Sequence, residues 1–318
     1  MLLNQFNYDL PKELIAERPV NPRHNSRLLK VQKNVFEDSL VKNIPNYLNS
    51  NDLIIFNDTK VIKARLEGLI NKRNFEILLL KNTELNIWKA LVKPYKKIKV
   101  GDILIFGNEF TASVLSKHSE GIICLNLNCN KNQLSQLLKK YGTTPIPPYI
   151  QKLRKTDKRD DIEYQSIFAK NEGSVAAPTA SLHFTDLLIN EIKNKGVQIR
   201  TVTLHIGLGT FSPIKVSNIN DHIMHEEYGE IPVNVIKKIK ETKLKNGRII
   251  AVGTSTMRIL ESAFQNQINR NFKGETNLFI KPGFKFNVVD ILLTNFHLPK
   301  STLLMLVCAF AGKENIFR

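Results

Sequence analysis

Five of the seven histidines in this 318-residue chain, His183, His205, His222, His225 and His297, lie in its second half. Each sits in a stretch rich in Gly, Ser, Thr or Pro beside a strand-like run: G-S-V-A-A-P-T-A-S-L-H-F-T (173–185), H-I-G-L-G-T-F-S-P (205–213), D-H-I-M-H-E-E-Y-G-E (221–230) and T-N-F-H-L-P-K-S (294–301). A fifth stretch, V-G-T-S-T-M-R (252–258), has the same character without a histidine. Loops at strand ends are where an α/β scaffold gathers its reactive side chains, so the five stretches read as one polar pocket. Imidazoles beside carboxylates in a partly buried cleft titrate near neutrality and suit proton transfer. The grouping His222, His225, Glu226, Glu227 has neither the H-E-x-x-H spacing nor that of a common zinc site. No metal is therefore expected.

Two of the stretches suit ligand binding rather than proton transfer. In V-G-T-S-T-M-R a strand ends, a glycine turns the chain, and Thr254, Ser255 and Thr256 meet a helix start, where free N–H groups and the helix dipole attract a carboxylate or phosphate. Arg258, one turn inside, adds a cation. H-I-G-L-G-T-F-S contains G-x-G after a strand, but Pro213 follows and no helix opens, so it is not a dinucleotide fingerprint. Gly207 and Gly209 instead let backbone approach a flat ligand.

The elements that must hold these loops fall into two patterns. From 61 to about 130, short β-branched and apolar runs recur between turns, as in F-E-I-L-L-L, I-W-K-A-L-V and G-I-I-C-L-N-L, which predicts a small antiparallel barrel or sandwich. A helix follows at 131–140, and then Y-G-T-T-P-I-P-P-Y-I, whose prolines forbid regular structure. Strand and helix alternate afterwards. Thr185 caps a helix that Gly196 ends, V-Q-I-R-T-V-T-L-H-I and R-I-I-A-V are strands, and V-V-D-I-L-L precedes a helix capped by Ser301. Earlier, D-L-P-K-E-L-I-A-E-R-P carries a short helix signal between Pro11 and Pro19, and D-L-I-I-F-N-D-T-K (52–60) is a buried strand. The fold class is α/β: a mostly parallel-sheet domain from 1–60 and 145–318, with a small antiparallel β-domain inserted at 61–144.

Hydrophobic residues at 42% and charged residues at 24% are ordinary globular usage. The chain carries no apolar run of membrane length and no signal-peptide order at its start, so cytoplasmic residence is expected. Cys124, Cys129 and Cys308 read as packing residues. A formal net charge of +17 favours a polyanionic partner, of which nucleic acid is the commonest. K-P-Y-K-K-I-K (93–99), with Arg65 and Arg73, and K-L-R-K-T-D-K-R (152–159) are the candidate phosphate-binding stretches.

Longer blocks carry a resemblance. N-D-T-K-V-I-K-A-R-L (57–66), Y-G-T-T-P-I-P-P-Y-I, D-D-I-E-Y-Q-S-I-F-A, S-V-A-A-P-T-A-S-L-H-F-T, H-I-G-L-G-T-F, H-E-E-Y, V-G-T-S-T-M-R-I-L-E and T-N-F-H-L-P-K-S-T-L-L-M-L-V resemble, in order and from about residue 3 to 312, the S-adenosylmethionine:tRNA ribosyltransferase-isomerases. The resemblance implies an α/β domain with an inserted β-barrel. It also implies an enzyme that moves the ribosyl part of S-adenosylmethionine onto 7-aminomethyl-7-deazaguanine in a tRNA anticodon, giving epoxyqueuosine, adenine and methionine. S-adenosylmethionine is then a consumed co-substrate, with no resident cofactor. Separately, a monomer is expected.

On that resemblance, His225 or His183 is the base that takes a ribose C5′ proton, with Glu226 or Glu227 setting its tautomer. His205 or His297 protonates the departing adenine. Asn295 or Asp221 holds adenine or the ribose hydroxyls, Thr179 joins the S-adenosylmethionine contacts, and Thr254, Ser255, Thr256 and Arg258 take the methionine carboxylate. Lys93, Lys96, Lys97, Lys99, Arg154 and Tyr141 meet the RNA. The chain departs from the usual pattern at Ser181, where glycine is common, and at Thr143, where histidine is. Family members continue beyond the position of Phe317-Arg318 through another aromatic-rich segment, without which the fold is expected to stand. Two rivals are an S-adenosylmethionine-dependent RNA methyltransferase, which lacks support because no Gly-rich first strand–helix turn is present, and a non-catalytic RNA-binding protein, for which the histidine loops are superfluous.

Overall fold

A computed structural model describes residues 1–207, 214–265 and 271–318. The chain forms two compact units, one of residues 1–59, 165–171 and 177–318 and the other of 60–164 and 172–176. Near its start the first unit has a hairpin, β1 (Arg27–Gln32) with β2 (Val35–Leu40), and then β3 (Leu53–Asn57).

Every residue of β3 is buried, as a continuous apolar run requires of a central strand covered on both faces. Its alternate side chains feed two different cores. Leu53 and Ile55 pack on one face, and Ile54 and Phe56 pack on the other, where Phe56 stacks on Phe168 with centroids 4.0 Å apart. Four such side chains, at about 1.5–3 kcal/mol each for full burial, make β3 the strand the sheet is built around.

The second unit opens with six strands: β4 (Arg65–Ile70), β5 (Arg73–Glu84), β6 (Ile87–Lys93), β7 (Ile103–Gly107), β8 (Phe110–Lys117) and β9 (Ile122–Leu127). They are antiparallel in the order β4-β5-β6-β9-β8-β7, and the pairing of Leu69 with Ile105 closes β4 onto β7. Of the barrel and sandwich the sequence left open, the barrel is the one formed, and closure leaves no strand edge to aggregate. Alternation fills its interior with Leu66, Phe75, Ile77, Leu79, Ala90, Leu104, Phe110 and Leu125. Helix α1 (Lys131–Tyr141) starts with a capping box in which Asn130 and Gln133 accept each other's backbone N–H.

Two expectations are corrected here. The boundary placed at 144 falls at 164, because Asp161 takes a hydrogen bond from Thr144 Oγ1 and pairs with Lys63 Nζ, both at 2.6 Å, within the barrel unit. The proline-rich stretch is not wholly irregular either: Pro148 opens a four-residue helix, Pro148–Gln151, in the position where its missing N–H costs nothing.

The first unit resumes with α2 (Asp186–Asn194), β10 (Gln198–Leu204), β11 (Glu227–Ile231), α3 (Val233–Leu244), β12 (Ile249–Val252), α4 (Thr254–Gln265), β13 (Phe272–Thr276), β14 (Ile291–Leu293) and α5 (Thr302–Ala311). Thr185 caps α2 and Ser301 caps α5, as their side-chain chemistry dictates. The sheet order is β13-β11-β10-β3-β12-β14, with β10, β3, β12 and β14 parallel and β11 and β13 antiparallel on one side. The helix signal near the N-terminus yields only a 3-10 turn, Lys12–Leu14, since Pro11 and Pro19 leave too few residues to repay helix nucleation. Among the described residues no helix is long and apolar enough to cross a membrane.

The amino edge of the sheet is held by Asp52, whose side chain is 1% exposed. Its carboxylate accepts from the backbone N–H of Asn49 and Arg248 and from Arg248 Nε and Nη2, tying the start of β3 to the start of β12. Burial alone would raise this carboxyl; the hydrogen bonds from Arg248 and the two backbone donors outweigh it and hold it below its ordinary value. Removing one partner of such a pair costs about 3–5 kcal/mol. Asp52→Ala should therefore lower the urea midpoint by that equivalent while leaving turnover per folded molecule unchanged, because it acts at the sheet edge opposite the site.

Candidate functional site

Four parallel strands point their carboxyl ends the same way, so the segments after Asn57, Leu204, Val252 and Leu293 open at one sheet edge. Asn57 binds them together. Its fully buried Nδ2 donates to Leu204 O at 2.9 Å and to Ser255 Oγ at 3.1 Å, while its Oδ1 accepts from the N–H of Thr59 and Leu204. One carboxamide thus spends its donors and acceptor on β3, β10 and the start of α4.

Next to it, Asp58 is buried and accepts from Thr203 Oγ1 at 2.7 Å and Asn171 Nδ2 at 3.0 Å. Thr59 Oγ1 lies 2.8 Å from His205 Nδ1. Burial pushes the His205 imidazole below its ordinary value, and the Asp58 charge opposes part of that. Asn57, Asp58 and Thr59 went unassigned in the sequence reading. Their signals in the sequence were turn chemistry at the end of a buried strand and their place at the head of the block N-D-T-K-V-I-K-A-R-L.

His183 ends the 3-10 turn Thr179–His183, with its Nε2 2.7 Å from Asn295 Oδ1 and its Nδ1 2.9 Å from Ser26 Oγ. Burial lowers it, the bond to Asn295 works against that, and the Arg23 charge adds to it. His297 Nε2 lies 3.2 Å from Thr294 Oγ1, and burial holds its imidazole down to about 4. Both rings are neutral at neutral pH. His205 and His297, expected as proton donors to adenine, are both held below the ordinary imidazole value by burial. Thr179 is half-buried, and the Ser181 hydroxyl beside it is buried without a partner among the described residues.

Glu227 and Arg258 turn out to be structural partners. Arg258 Nη1 donates to Glu227 Oε2 at 2.7 Å, with both side chains nearly fully buried, and Glu227 Oε1 accepts from Gly207 N at 3.0 Å. Glu227, expected with Glu226 as a candidate to set a histidine tautomer, and Arg258, expected to take a carboxylate, are thus bonded to each other, while Arg258 Nε and Nη2 are buried without a partner among the described residues. The helix start remains suited to an anion: Gly253 turns at φ +93, and the N–H groups of Thr254, Ser255 and Thr256 have no acceptor among the described residues. Asp221, His225 and Glu226 are exposed, and His222 packs edge-on against Phe279. Burial, then the nearby His225 charge, lowers His222. Gly209 lies outside the described residues. Among the described residues no three His, Cys, Asp or Glu side chains gather as a metal site would need.

In the barrel unit, Lys93, Lys96, Lys97 and Lys99 are all exposed on a loop anchored by Lys117 Nζ, which donates to Ile98 O at 2.7 Å, and by Asp102, which accepts from Lys99 N. Arg154 is different: it grips Asp160 through both terminal nitrogens, at 2.6 and 2.9 Å, and is not free to meet a phosphate. Arg65 likewise pairs with Glu76, and Tyr141 OH donates to Glu109. Cys129 and Cys308 are buried as expected, but half-buried Cys124 places its sulfur 3.4 Å from His118 Nε2.

An open, largely parallel sheet with histidines, amides and a bare helix start at its carboxyl edge defines an α/β enzyme of the ligand-at-strand-ends class. Residues 3–318 match the family described as queuosine biosynthesis protein. The chain is 44% identical to the S-adenosylmethionine:tRNA ribosyltransferase-isomerase of Zymomonas mobilis, over 99% of this chain and 92% of that one. It is 45% identical to the protein of the same name from Thermosipho melanesiensis, over 99% and 93%. A crystal structure of S-adenosylmethionine tRNA ribosyltransferase from Thermotoga maritima shares 36% identity and a TM-score of 0.55, covering 98% of this chain and 92% of that one. The chain belongs to the family of S-adenosylmethionine:tRNA ribosyltransferase-isomerases, enzymes of queuosine biosynthesis.

The neutral, buried imidazoles make acid stability a readout of this site. A histidine whose folded pKa is depressed contributes fully above its unfolded pKa, and that contribution is lost as pH falls toward the folded value. For His297 the window runs from about 6.5 down to about 4. Thermal melts of His297→Gln should show a smaller loss of Tm across that window than the parent, with the two profiles parallel above pH 7.

Proposed function

We propose that this chain transfers and isomerises the ribosyl group of S-adenosylmethionine onto 7-aminomethyl-7-deazaguanine in a tRNA anticodon, giving epoxyqueuosine and releasing adenine and methionine. Family membership names the reaction type. The observation that carries the reading to individual residues is the pairing of His205 with Thr59 beside buried Asp58 at the carboxyl edge of the sheet.

The sulfonium of S-adenosylmethionine acidifies the neighbouring ribose C5′–H. A base for that proton must be neutral at working pH, have a fixed ring and keep one nitrogen free. His205 meets these demands: burial keeps it neutral, Thr59 holds Nδ1, and Nε2 has no partner among the described residues. For Nε2 to accept, Nδ1 carries the proton and donates to Thr59 Oγ1, and the Asp58 charge stabilises the imidazolium that forms. His183 has both nitrogens engaged and exposed His225 has no such anchoring among the described residues, so the base is assigned to His205 in place of either.

The remaining groups fall into place around that proton. The methionine carboxylate docks on the N–H groups of Thr254, Ser255 and Thr256. Arg258, neutralised by Glu227, acts from behind by holding Gly207 in position rather than by attracting the anion. Asn295 and His183, oriented by one another, serve the ribose hydroxyls or adenine. The exposed lysine loop, Lys93, Lys96, Lys97 and Lys99, supplies phosphate contacts whose affinity falls with salt. The protein acts in the cytoplasm as a monomer.

Mass spectrometry of the small molecules released from S-adenosylmethionine and an RNA bearing the aminomethyl-deazaguanine should show adenine and methionine, with the matching mass gain on the RNA. S-adenosylhomocysteine would instead mean methyl transfer and would overturn the reading. In the same assay His205→Gln should reduce kcat by at least a hundredfold, the scale of lost acid–base catalysis, with little change in S-adenosylmethionine binding by calorimetry. Near-parental turnover would move the base elsewhere.

A further inference from the structure

Between Asn295 and His297, both held by side-chain hydrogen bonds, Phe296 is 86% exposed, more than any other aromatic side chain among the described residues. A phenylalanine left in water forgoes the free energy of burial, and a pliable loop would turn it inward. This loop cannot. Leu293 O accepts from Gly253 N, Asn295 Oδ1 is bonded to His183, and Thr294 Oγ1 to His297. His297 O accepts from Tyr8 OH, Leu298 O from Ser301 Oγ, and Lys300 N donates to Phe6 O. Four bonds to the rest of its unit, at Leu293, Asn295, His297 and Lys300, and two within the segment hold the chain on either side of one displayed ring.

We infer that Phe296 is a stacking platform for an unpaired base of the RNA substrate. The inference rests on the ribosyl-transfer reading for its choice of substrate. A flat heterocycle could come from either substrate, but a small-molecule pocket encloses most of its ligand's surface. A ring this open to solvent suits a partner that brings its own bulk. RNA modules present exposed aromatics in the same way, because every base offers a π-face once it has left the helical stack. A base resting on Phe296 stands beside Asn295 and His297 in the chain, and so next to the segment that His183 orients. The platform therefore sets where the RNA strand lies relative to the strand ends rather than taking part in proton transfer.

The test compares Phe296→Ala and Phe296→Trp with the parent, measuring kcat, KM for a modified anticodon stem-loop, KM for S-adenosylmethionine, Tm, and direct binding of the stem-loop in the absence of S-adenosylmethionine. Loss of one base–aromatic stack should raise the RNA KM and Kd about ten- to a hundredfold in Phe296→Ala. Phe296→Trp should restore them, with Tm and the S-adenosylmethionine KM unmoved. An RNA KM and Kd unchanged in Phe296→Ala overturns the platform. So does a shift confined to the S-adenosylmethionine KM, which would place adenine on the ring. If the parent makes no adenine or methionine, the ribosyl-transfer reading fails by itself. The direct-binding arm still decides the platform, since weaker stem-loop binding by Phe296→Ala supports it and equal binding sinks it.

Discussion

The carboxamide of Asn57 is the interaction on which the site depends. A buried amide that left its groups unpaired would cost more than the bonds return, so its geometry is set by having all its partners in place at once. Those partners are Leu204 at the end of β10, Thr59 beyond β3 and Ser255 at the start of α4. Three strand ends are therefore brought to one register, and Thr59, fixed by the same amide, is the residue that positions His205. The His205 imidazole is two hydrogen bonds away from the Asn57 carboxamide.

Charge is managed at this edge by pairing and by neutrality. Arg258 and Glu227 cancel each other in the interior, and the cost of burying them is met partly by the extra bond from Gly207. Their value lies in geometry, since Gly207 lies two residues from His205 and the pair anchors that side of the segment. The histidines go the other way: burial favours their neutral form, and their partners are hydroxyls and an amide rather than carboxylates. The edge thus offers neutral imidazoles and, among the described residues, helix N–H groups without an acceptor.

The barrel unit solves a different problem. Its six strands close on one another and spend their inward side chains on a single core, which leaves the loops free to vary without opening an edge. Lysines on the anchored loop 93–99 face water there, while arginines of the same unit, Arg65 and Arg154, are already satisfied by Glu76 and Asp160. Positive charge in the sequence and available positive charge are consequently different quantities.

Much of the architecture was legible because it rests on local chemistry. The apolar run Leu53–Asn57, the alternation of F-E-I-L-L-L, the caps Thr185 and Ser301, and the glycine before Thr254 each state their own structure within a few residues. The histidine-bearing loops could likewise be assigned to strand ends, and the long motifs carried the family. The partner of each side chain was not legible, because it is set by contacts between residues far apart in the chain. Arg258 looked available and is bound to Glu227; Arg154 looked available and is bound to Asp160; Asn57, Asp58 and Thr59 looked like a turn and hold the site together. Burial belongs to the same class, since the protonation of His297 follows from what surrounds it and not from its neighbours in sequence. Sequence alone determined which elements form and to which family the chain belongs; tertiary structure decided which polar groups are bonded within the protein itself, because hydrogen bonds and desolvation depend on distance in space.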